Sequence, residues 1–475
     1  MGEVLRPDLC IIGAGSGGLS VAAAAAAFGV PVVLIEKGRM GGDCLNYGCV
    51  PSKALIASAK RAALPRHAGS FGISIPRPTV DFARVHDSIQ SVIAAIAPMD
   101  SKERFTGLGV RVIQGEARFK NRSTVVVGND WEIKARRFVI ATGSSPAIPP
   151  IPGLSEVPHY TNETIFDLTE CPGHLIVIGA GPIGLELAQA HRRLGAAVTV
   201  LEAARPLAKD DPECSQVVVA ELMREGVTIR TGVEVVRIEA IETRVRVQLR
   251  SENGEESIDG THLLVATGRR SNSEGLDLEA AGIRQEENRI LVDERLTTSN
   301  RRVYAIGDAA SAAHFTHVAN YHAGIVIRRS LFRIPARVQQ EAIPWVTYTD
   351  PELAHVGLME IDVRKKGTPF RVLRASYHDN DRAQIARATR GHVKVITTPR
   401  GRILGATIVG SQAGELITTW TLAIQHRLNV RALTDVIVPY PTLNELNKRA
   451  AISFFVPSLT SPWVRRIISF LRWLG

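Results

Sequence analysis

Two cysteines, Cys44 and Cys49, stand five positions apart in the run GGDCLNYGCVPSK, residues 41–53. They can bridge if the backbone between them bends, because a disulfide needs Cα atoms only about 4.4–6.8 Å apart. Five cysteines in 475 residues are too few for a disulfide framework. Cys10, Cys171 and Cys214 therefore read as ordinary thiols. An isolated close pair suits redox exchange or metal binding better than a structural staple. A zinc site would need a second Cys/His pair at ligand spacing, which is missing. Redox chemistry without a resident metal is the expectation.

Such a pair needs an electron source, and the flanking elements offer two. The apolar run 8–12 leads into Gly13-Ala-Gly15-Ser-Gly-Gly18, an alanine-rich helix at 19–28 and a second apolar run, 31–35, that ends at Glu36. In this order the first glycine allows a tight turn and the second lets backbone approach a pyrophosphate. The third lets helix and strand pack closely, with the helix N-terminus facing the phosphates. The acid then accepts ribose hydroxyls. The construction recurs with strand 174–178, Gly179-Ala-Gly181-Pro-Ile-Gly184, a helix to about Leu194, and strand 197–201 before Glu202. Each acid lies 23 positions beyond its first glycine. Two fingerprints imply two bound dinucleotides.

Length and composition frame the rest. A chain of 475 residues exceeds one core, so several domains are expected. No apolar run is long enough for a membrane-spanning helix. The N-terminal residues lack a signal-peptide pattern, and cytoplasm is the expected compartment. The net charge of +10 raises the question of a nucleic-acid partner, but the arginines are scattered and read as solvated surface. Helical periodicity covers 52–64 and 79–104, and short strands fill 110–140. A Pro-rich crossover spans 146–158. From about residue 339, strands at 343–348, 370–376, 392–396 and 403–409 alternate with helices at 358–366, 412–428 and 443–451.

GGDCLNYGCVPSK, both fingerprints, VIATGSS, LLVATGRR, YAIGD and the late YPTLNE occur in the order found in the class I pyridine nucleotide–disulfide oxidoreductases. That family includes dihydrolipoamide dehydrogenase, glutathione reductase and mercuric reductase, and the chain resembles it to about residue 455. The resemblance implies an α/β fold: two Rossmann-like dinucleotide-binding domains, for FAD and NAD(P), plus a C-terminal α+β dimerisation domain. The implied segments are 1–148 and 272–338 for FAD, 149–271 for NAD(P), 339–455 for the interface of a homodimer and 456–475 for a tail.

Carried over by position, Glu36 would bind the FAD adenosine ribose and Asp308, after Gly307, the ribityl chain. Thr142 and Gly143 in one ATG segment and Gly268 in the other would line the cofactors. The helix opening near Thr316 would aim its positive end at the flavin. Lys53 and Glu186 would form an ion pair on the nicotinamide side, where it contributes little stability but favours a reduced, anionic flavin. Electrons would reach the disulfide through Cys49 and leave Cys44 as the exposed interchange thiol. Lys53 and a helix N-terminus should lower a thiol pKa below about 8.5. A carboxylate at Glu202 favours NADH, and Arg205 keeps NADP(H) open.

The chain departs from the thiol-disulfide members in one place. Their His-Pro-Thr-x-x-Glu motif reads Tyr440-Pro-Thr-Leu-Asn-Glu445 here. Tyrosine titrates near about 10 and cannot collect a thiol proton as imidazole does. A tyrosine here is similar to mercuric reductases, whose soft metal ion would suit a dithiolate. Their C-terminal cysteine pair and N-terminal metal-binding extension have no counterpart, since the last cysteine is Cys214. The acceptor stays open between a soft metal ion and a disulfide. A dihydrolipoamide dehydrogenase that tolerates Tyr440 is one alternative, and a membrane-associated electron-transfer subunit with mainly structural FAD is another.

Two further stretches need an explanation. His314, His317 and His322 follow Gly307-Asp308 and invite a metal or replacement-base reading against plain packing, with His317 the candidate proton carrier. Residues 461–474, SPWVRRIISFLRWL, form an amphipathic basic helix that would either pack on the protein or lie on a membrane surface.

Overall fold

The computed structural model describes residues 2–76, 78–311, 313–459 and 461–474. Met1 and Gly475, where expected segments begin and end, lie outside the described residues, as do Arg77, Ala312 and Thr460. The chain forms two compact units. The first comprises Met1–Pro65, Pro76–Ala203 and Gly232–Val338; the second comprises Arg66–Ile75, Ala204–Thr231 and Gln339–Gly475.

The first unit is built on a five-stranded parallel sheet in the order Val303–Ala305, Arg137–Ile140, Leu9–Ile12, Val32–Glu36, Arg111–Gln114. Its strands are apolar at successive positions because both faces are covered. Leu9 and Ile11 join a cluster with Leu19, Ala22 and Val326 of the helices Ser16–Ala27 and Thr316–Ser330. Cys10 and Ile12 point the other way, into a cluster with Phe119, Val125 and Ile133 of a four-stranded sheet. The chain leaves the parallel sheet after Ile140 and returns at Val303. Between these points it forms a second parallel sheet, with His174–Ile178 between Ala197–Glu202 and His262–Val265. The outgoing strand Ser144–Pro146 pairs antiparallel with the returning Arg269–Ser271.

The expected helix at 79–104 is broken. Phe82–Ile96 ends in a 3-10 turn at Ala97–Asp100, and Ser101 caps a new helix, Lys102–Gly107. Pro98 lacks the N–H that would continue the ladder.

The second unit holds an antiparallel sheet in the order Pro344–Thr347, Glu352–Gly357, Ile403–Gly410, His392–Thr397, Arg371–Ser376. Its core includes the fully buried Trp420, whose indole N–H donates to Asn447 at 2.7 Å. Glu352–Gly357 was not expected as a strand, because His355 interrupts its apolar pattern. His355 is fully buried there and bonds Thr407 Oγ1 on the neighbouring strand at 2.7 Å.

Candidate functional site

The two fingerprints fold alike, and their glycines divide by position. A Cβ on Gly13 would lie 2.4 Å from Ala141 O, and one on Gly18 would lie 1.9 Å from Gly13 O. At Gly179 and Gly184 the corresponding clashes are 2.5 Å and 2.0 Å, with Ala266 O and Gly179 O. The middle glycines are open instead. A Cβ on Gly181 meets nothing within 4 Å, and one on Gly15 meets only Gly42 Cα at 3.8 Å. The outer glycines thus serve the protein's own packing, whereas the middle ones leave backbone accessible to a ligand. Each precedes a helix whose N-cap makes no side-chain bond, Ser16–Ala27 or Pro182–Leu194. The free N–H groups there suit a pyrophosphate.

The acidic residues sit where the fingerprints need them. Glu36 accepts from Ala14 N–H at 2.5 Å and from Gly38 N–H at 2.7 Å. Glu202 accepts from Ala180 N–H at 2.8 Å. These backbone partners carry no signal of their own in the sequence beyond their place after the first glycine. The donor sets and open backbone fit a dinucleotide at both sites.

Around Asp308 the fold adds residues that sequence reasoning missed. Ser144 Oγ–H donates to Asp308 Oδ2 at 2.5 Å. Arg269, only 11% exposed, donates to Ser144 Oγ at 2.7 Å and Ser144 O at 2.8 Å, and pairs with Asp43 at 3.2 Å. Thr142 Oγ1 donates to Asn272 O at 2.5 Å, and Asn272 N–H donates to Gly143 O at 2.9 Å. Gly268 O accepts from Ala147 N–H at 3.0 Å. The two ATG segments are therefore tied to each other. Arg269 was legible as a charge after the second ATG, but its partners come from residues 43, 144 and 162.

His322 leaves the list of chemical candidates. It is buried and its Nδ1 accepts from Gly307 N–H at 3.2 Å, while burial pushes its pKa down to about 4. It is a neutral packing residue. His317 stacks on Phe315 with ring centroids 5.3 Å apart. Among the described residues no group of three His, Cys, Asp or Glu side chains is arranged to hold a metal ion.

The cysteine pair is held against the first phosphate loop by glycines. Gly41 adopts φ +88° and caps the short helix Gly42–Asn46 that carries Cys44, and a Cβ on Gly42 would lie 2.7 Å from Gly15 Cα. Cys49 opens the next helix, Cys49–Ala63. Both cysteines are free thiols, with Cys49 exposed and Cys44 half-buried. Cys49 sits at the first turn of its helix, 3.5 Å from Thr316 Oγ1.

A hydrogen bond from Cys44 lowers the Cys49 thiol to about 6, aided by Thr316 and the charge of Lys53 and opposed by burial. The same bond and burial push Cys44 upward. Lys53, one turn along the helix, donates to Glu186 Oε2 at 2.9 Å, and the Glu186 side chain is 6% exposed. A cavity of about 360 Å³ reaches Cys44 and Thr316 and is lined also by Ser16, Asp100, Arg104 and Asn320. Asp100 and Arg104 come from the broken helical segment and had no motif to mark them.

Tyr440 and Glu445 lie in the second unit. Tyr440 is 70% exposed and donates its O–H to Asp381 Oδ2 at 3.0 Å, which raises its pKa. Glu445 opens the helix Glu445–Ser453, and its Oε2 is buried without a hydrogen-bond partner among the described residues.

Residues 7–323 match the pyridine nucleotide-disulphide oxidoreductase family, and residues 343–451 match that family's dimerisation domain. The chain belongs to this family. It is a flavin-dependent oxidoreductase whose cofactors are FAD and NAD(P)H. A mercuric reductase of Staphylococcus aureus is 34% identical over 450 residues, spanning 94% of this chain and 82% of that protein. A dihydrolipoyl dehydrogenase of Geobacillus stearothermophilus is 32% identical over 460 residues, spanning 94% and 96%. Among solved structures, the Cu(II) complex of the HOCl-induced flavoprotein disulfide reductase RclA from Escherichia coli superposes with a TM-score of 0.84 at 28% identity, covering 96% of this chain and 100% of that one. The dimerisation domain supports a homodimer.

Proposed function

We propose that this oxidoreductase uses NADH to reduce a soft metal ion or a disulfide through Cys44 and Cys49, in the manner of a mercuric reductase. FAD, when bound, supplies the two-electron relay between NAD(P)H and the cysteine pair. Residues 1–148 and 272–338 would hold FAD, 149–271 NAD(P)H and 339–455 the dimer interface, in a cytoplasmic enzyme. The carrying observation is the Cys49 thiol, lowered to about 6 beside Cys44, Thr316 and Lys53. A thiolate is both the nucleophile toward a disulfide and the soft ligand for a metal ion.

The chain's own residues then have definite work. Gly15 and Gly181 admit the pyrophosphates, and Glu36 and Glu202 accept ribose hydroxyls. Glu202 disfavours a 2′-phosphate, hence NADH. Asp308 holds the ribityl chain while Arg269 and Ser144 keep it oriented. Thr316 and Lys53 place positive potential where negative charge develops, with Glu186 fixing Lys53. On a disulfide acceptor, a thiolate of the pair attacks one sulfur and expels the other as a thiolate. The second cysteine then resolves the mixed disulfide, so two electrons leave and Cys44–Cys49 is oxidised. A soft ion would be held by both thiolates while it takes the same two electrons.

Tyr440 separates this reading from dihydrolipoamide oxidation. Its hydroxyl keeps its proton because it donates to Asp381, so a dithiol substrate lacks a base. Anaerobic NADH titration should produce a long-wavelength thiolate–flavin band that Cys49→Ser abolishes; its absence from the wild type refutes the relay. Dihydrolipoamide, mercuric–thiol complexes, small disulfides and quinones would then be offered in turn. Tyr440→His should raise dihydrolipoamide turnover by about 10²-fold or more, the usual contribution of a general base.

A further inference from the structure

We propose that the C-terminal helix Pro462–Trp473 is a reversible anchor for an anionic lipid surface. It lies beyond both matched family regions, which end at residue 451, and the inference does not depend on the identity of the electron acceptor. Much of its apolar side faces solvent: Ile467, Ile468, Phe470, Leu471 and Leu474 are each about half exposed or more. Half-exposed apolar residues occupying one continuous face of a short helix are costly to leave in water.

The distribution of charge says what covers that face. At about 100° per residue, Trp463, Val464, Ile467, Ile468, Phe470, Leu471 and Leu474 fill an apolar arc of roughly 160°. Arg466 and Arg472 fall at its two margins, and Arg465 and Ser469 on the opposite side. Marginal arginines can bury their methylene stems along the hydrocarbon boundary while the guanidinium reaches phosphate. No acidic residue occurs in 461–474. Trp463, 72% exposed, lies on the apolar arc near the start of the helix, a residue type favoured at bilayer interfaces, whereas Trp473 falls on the polar side. Ser461 and Pro462 start the helix cleanly.

A second copy of the helix is a poorer occupant, because apposing two such faces brings like-charged arginine margins together. The helix is also short: isolated helices below about 12–15 residues are marginal in water. A lipid interface would stabilise it as it binds. With 12 residues it is too short to cross a bilayer, and among the described residues no helix is long and apolar enough to do so. It would therefore lie in the interface plane.

The test is flotation of the full-length holoprotein with vesicles of phosphatidylcholine alone or with about one-third phosphatidylserine. Binding is expected only to the anionic vesicles, weakening as salt rises. It should come with a blue shift of tryptophan emission that Trp463→Ser removes. Each arginine near an anionic surface contributes about fivefold to partitioning. Replacing Arg465, Arg466 and Arg472 together by Ser should thus cost on the order of 100-fold, with flavin content and NADH reduction unchanged. A chain ending at Val456 should remain in the pellet fraction. Equal flotation of that shortened chain, or equal binding to neutral vesicles, overturns the proposal. So does a fall in oligomeric mass on shortening while the full chain ignores vesicles, which would assign the face to a second copy.

Discussion

Replacing Cys44 by Ala tests the electrostatic core of the site, because the Cys44 thiol is the largest influence on its neighbour. Cys49 is lowered from 9.0 to about 6, chiefly by the hydrogen bond from Cys44, then by Thr316 and Lys53 against the opposing effect of burial. At about pH 7 a thiol of this kind is roughly nine-tenths ionised, whereas an ordinary one is only a few per cent ionised. Cys10, Cys44, Cys171 and Cys214 are all pushed the other way, by burial or by the Cys49 bond. Reduced protein should therefore show one thiolate, and one only, at neutral pH. The assay is the rate of iodoacetamide alkylation from about pH 4.5 to 9.5, with the modified residue located by peptide mass. The wild type should titrate near 6 at Cys49. In Cys44→Ala the midpoint should rise by one to two units, as the donor is gone while burial persists. Cys44→Ser keeps an O–H donor and should stay near the wild type. Lys53→Met should shift it less than Cys44→Ala does. An unchanged midpoint in Cys44→Ala, or equal shifts for Ala and Ser, would refute the assignment of the donor.

The glycines make a paired prediction. Gly181→Ala should fold normally and weaken NADH binding, measured by titration, because its Cβ enters open space where a pyrophosphate would approach. Gly184→Ala should instead lower thermal stability, since its Cβ would lie 2.0 Å from Gly179 O. Glu202→Ser should narrow or reverse the NADH over NADPH preference in kcat/KM. His191, His322 and His355 are all held neutral by burial, each down to about 4. Their folded pKa is below the unfolded value of about 6.5, so this contribution is complete above pH 6.5 and lost as pH falls toward 4. Urea midpoints should drop over that window. His322→Gln, which can still accept from Gly307 N–H, should flatten the drop by on the order of 2–3 kcal/mol.

Much of this protein was legible in one dimension because its signals are local. A phosphate loop needs its glycines, helix start and acid within a single βαβ unit, so Gly13 to Glu36 and Gly179 to Glu202 could be read without knowing any distant contact. The same holds for the cysteine run and for the amphipathic period of 461–474. The strand Glu352–Gly357 was hidden because its buried histidine is satisfied by Thr407, a residue 52 positions away whose hydroxyl no local pattern reports. The break at Pro98 had a visible cause but was outweighed by the periodicity around it.

What only the tertiary structure decided is how groups remote in sequence share a charge or a proton. Arg269 gains its role from Asp43, Ser144 and Asn162, and His322 loses a chemical one by accepting from Gly307 N–H. Lys53 meets Glu186 across 133 positions, and Thr316 meets Cys49 across 267. The sequence by itself determined that the chain takes two dinucleotides, since their recognition is written in contiguous backbone. Which thiol is lowered, Cys49 rather than Cys44, was decided by packing. Hydrogen bonds and desolvation depend on separations of a few ångströms, and sequence spacing specifies those only within a helix turn or a loop.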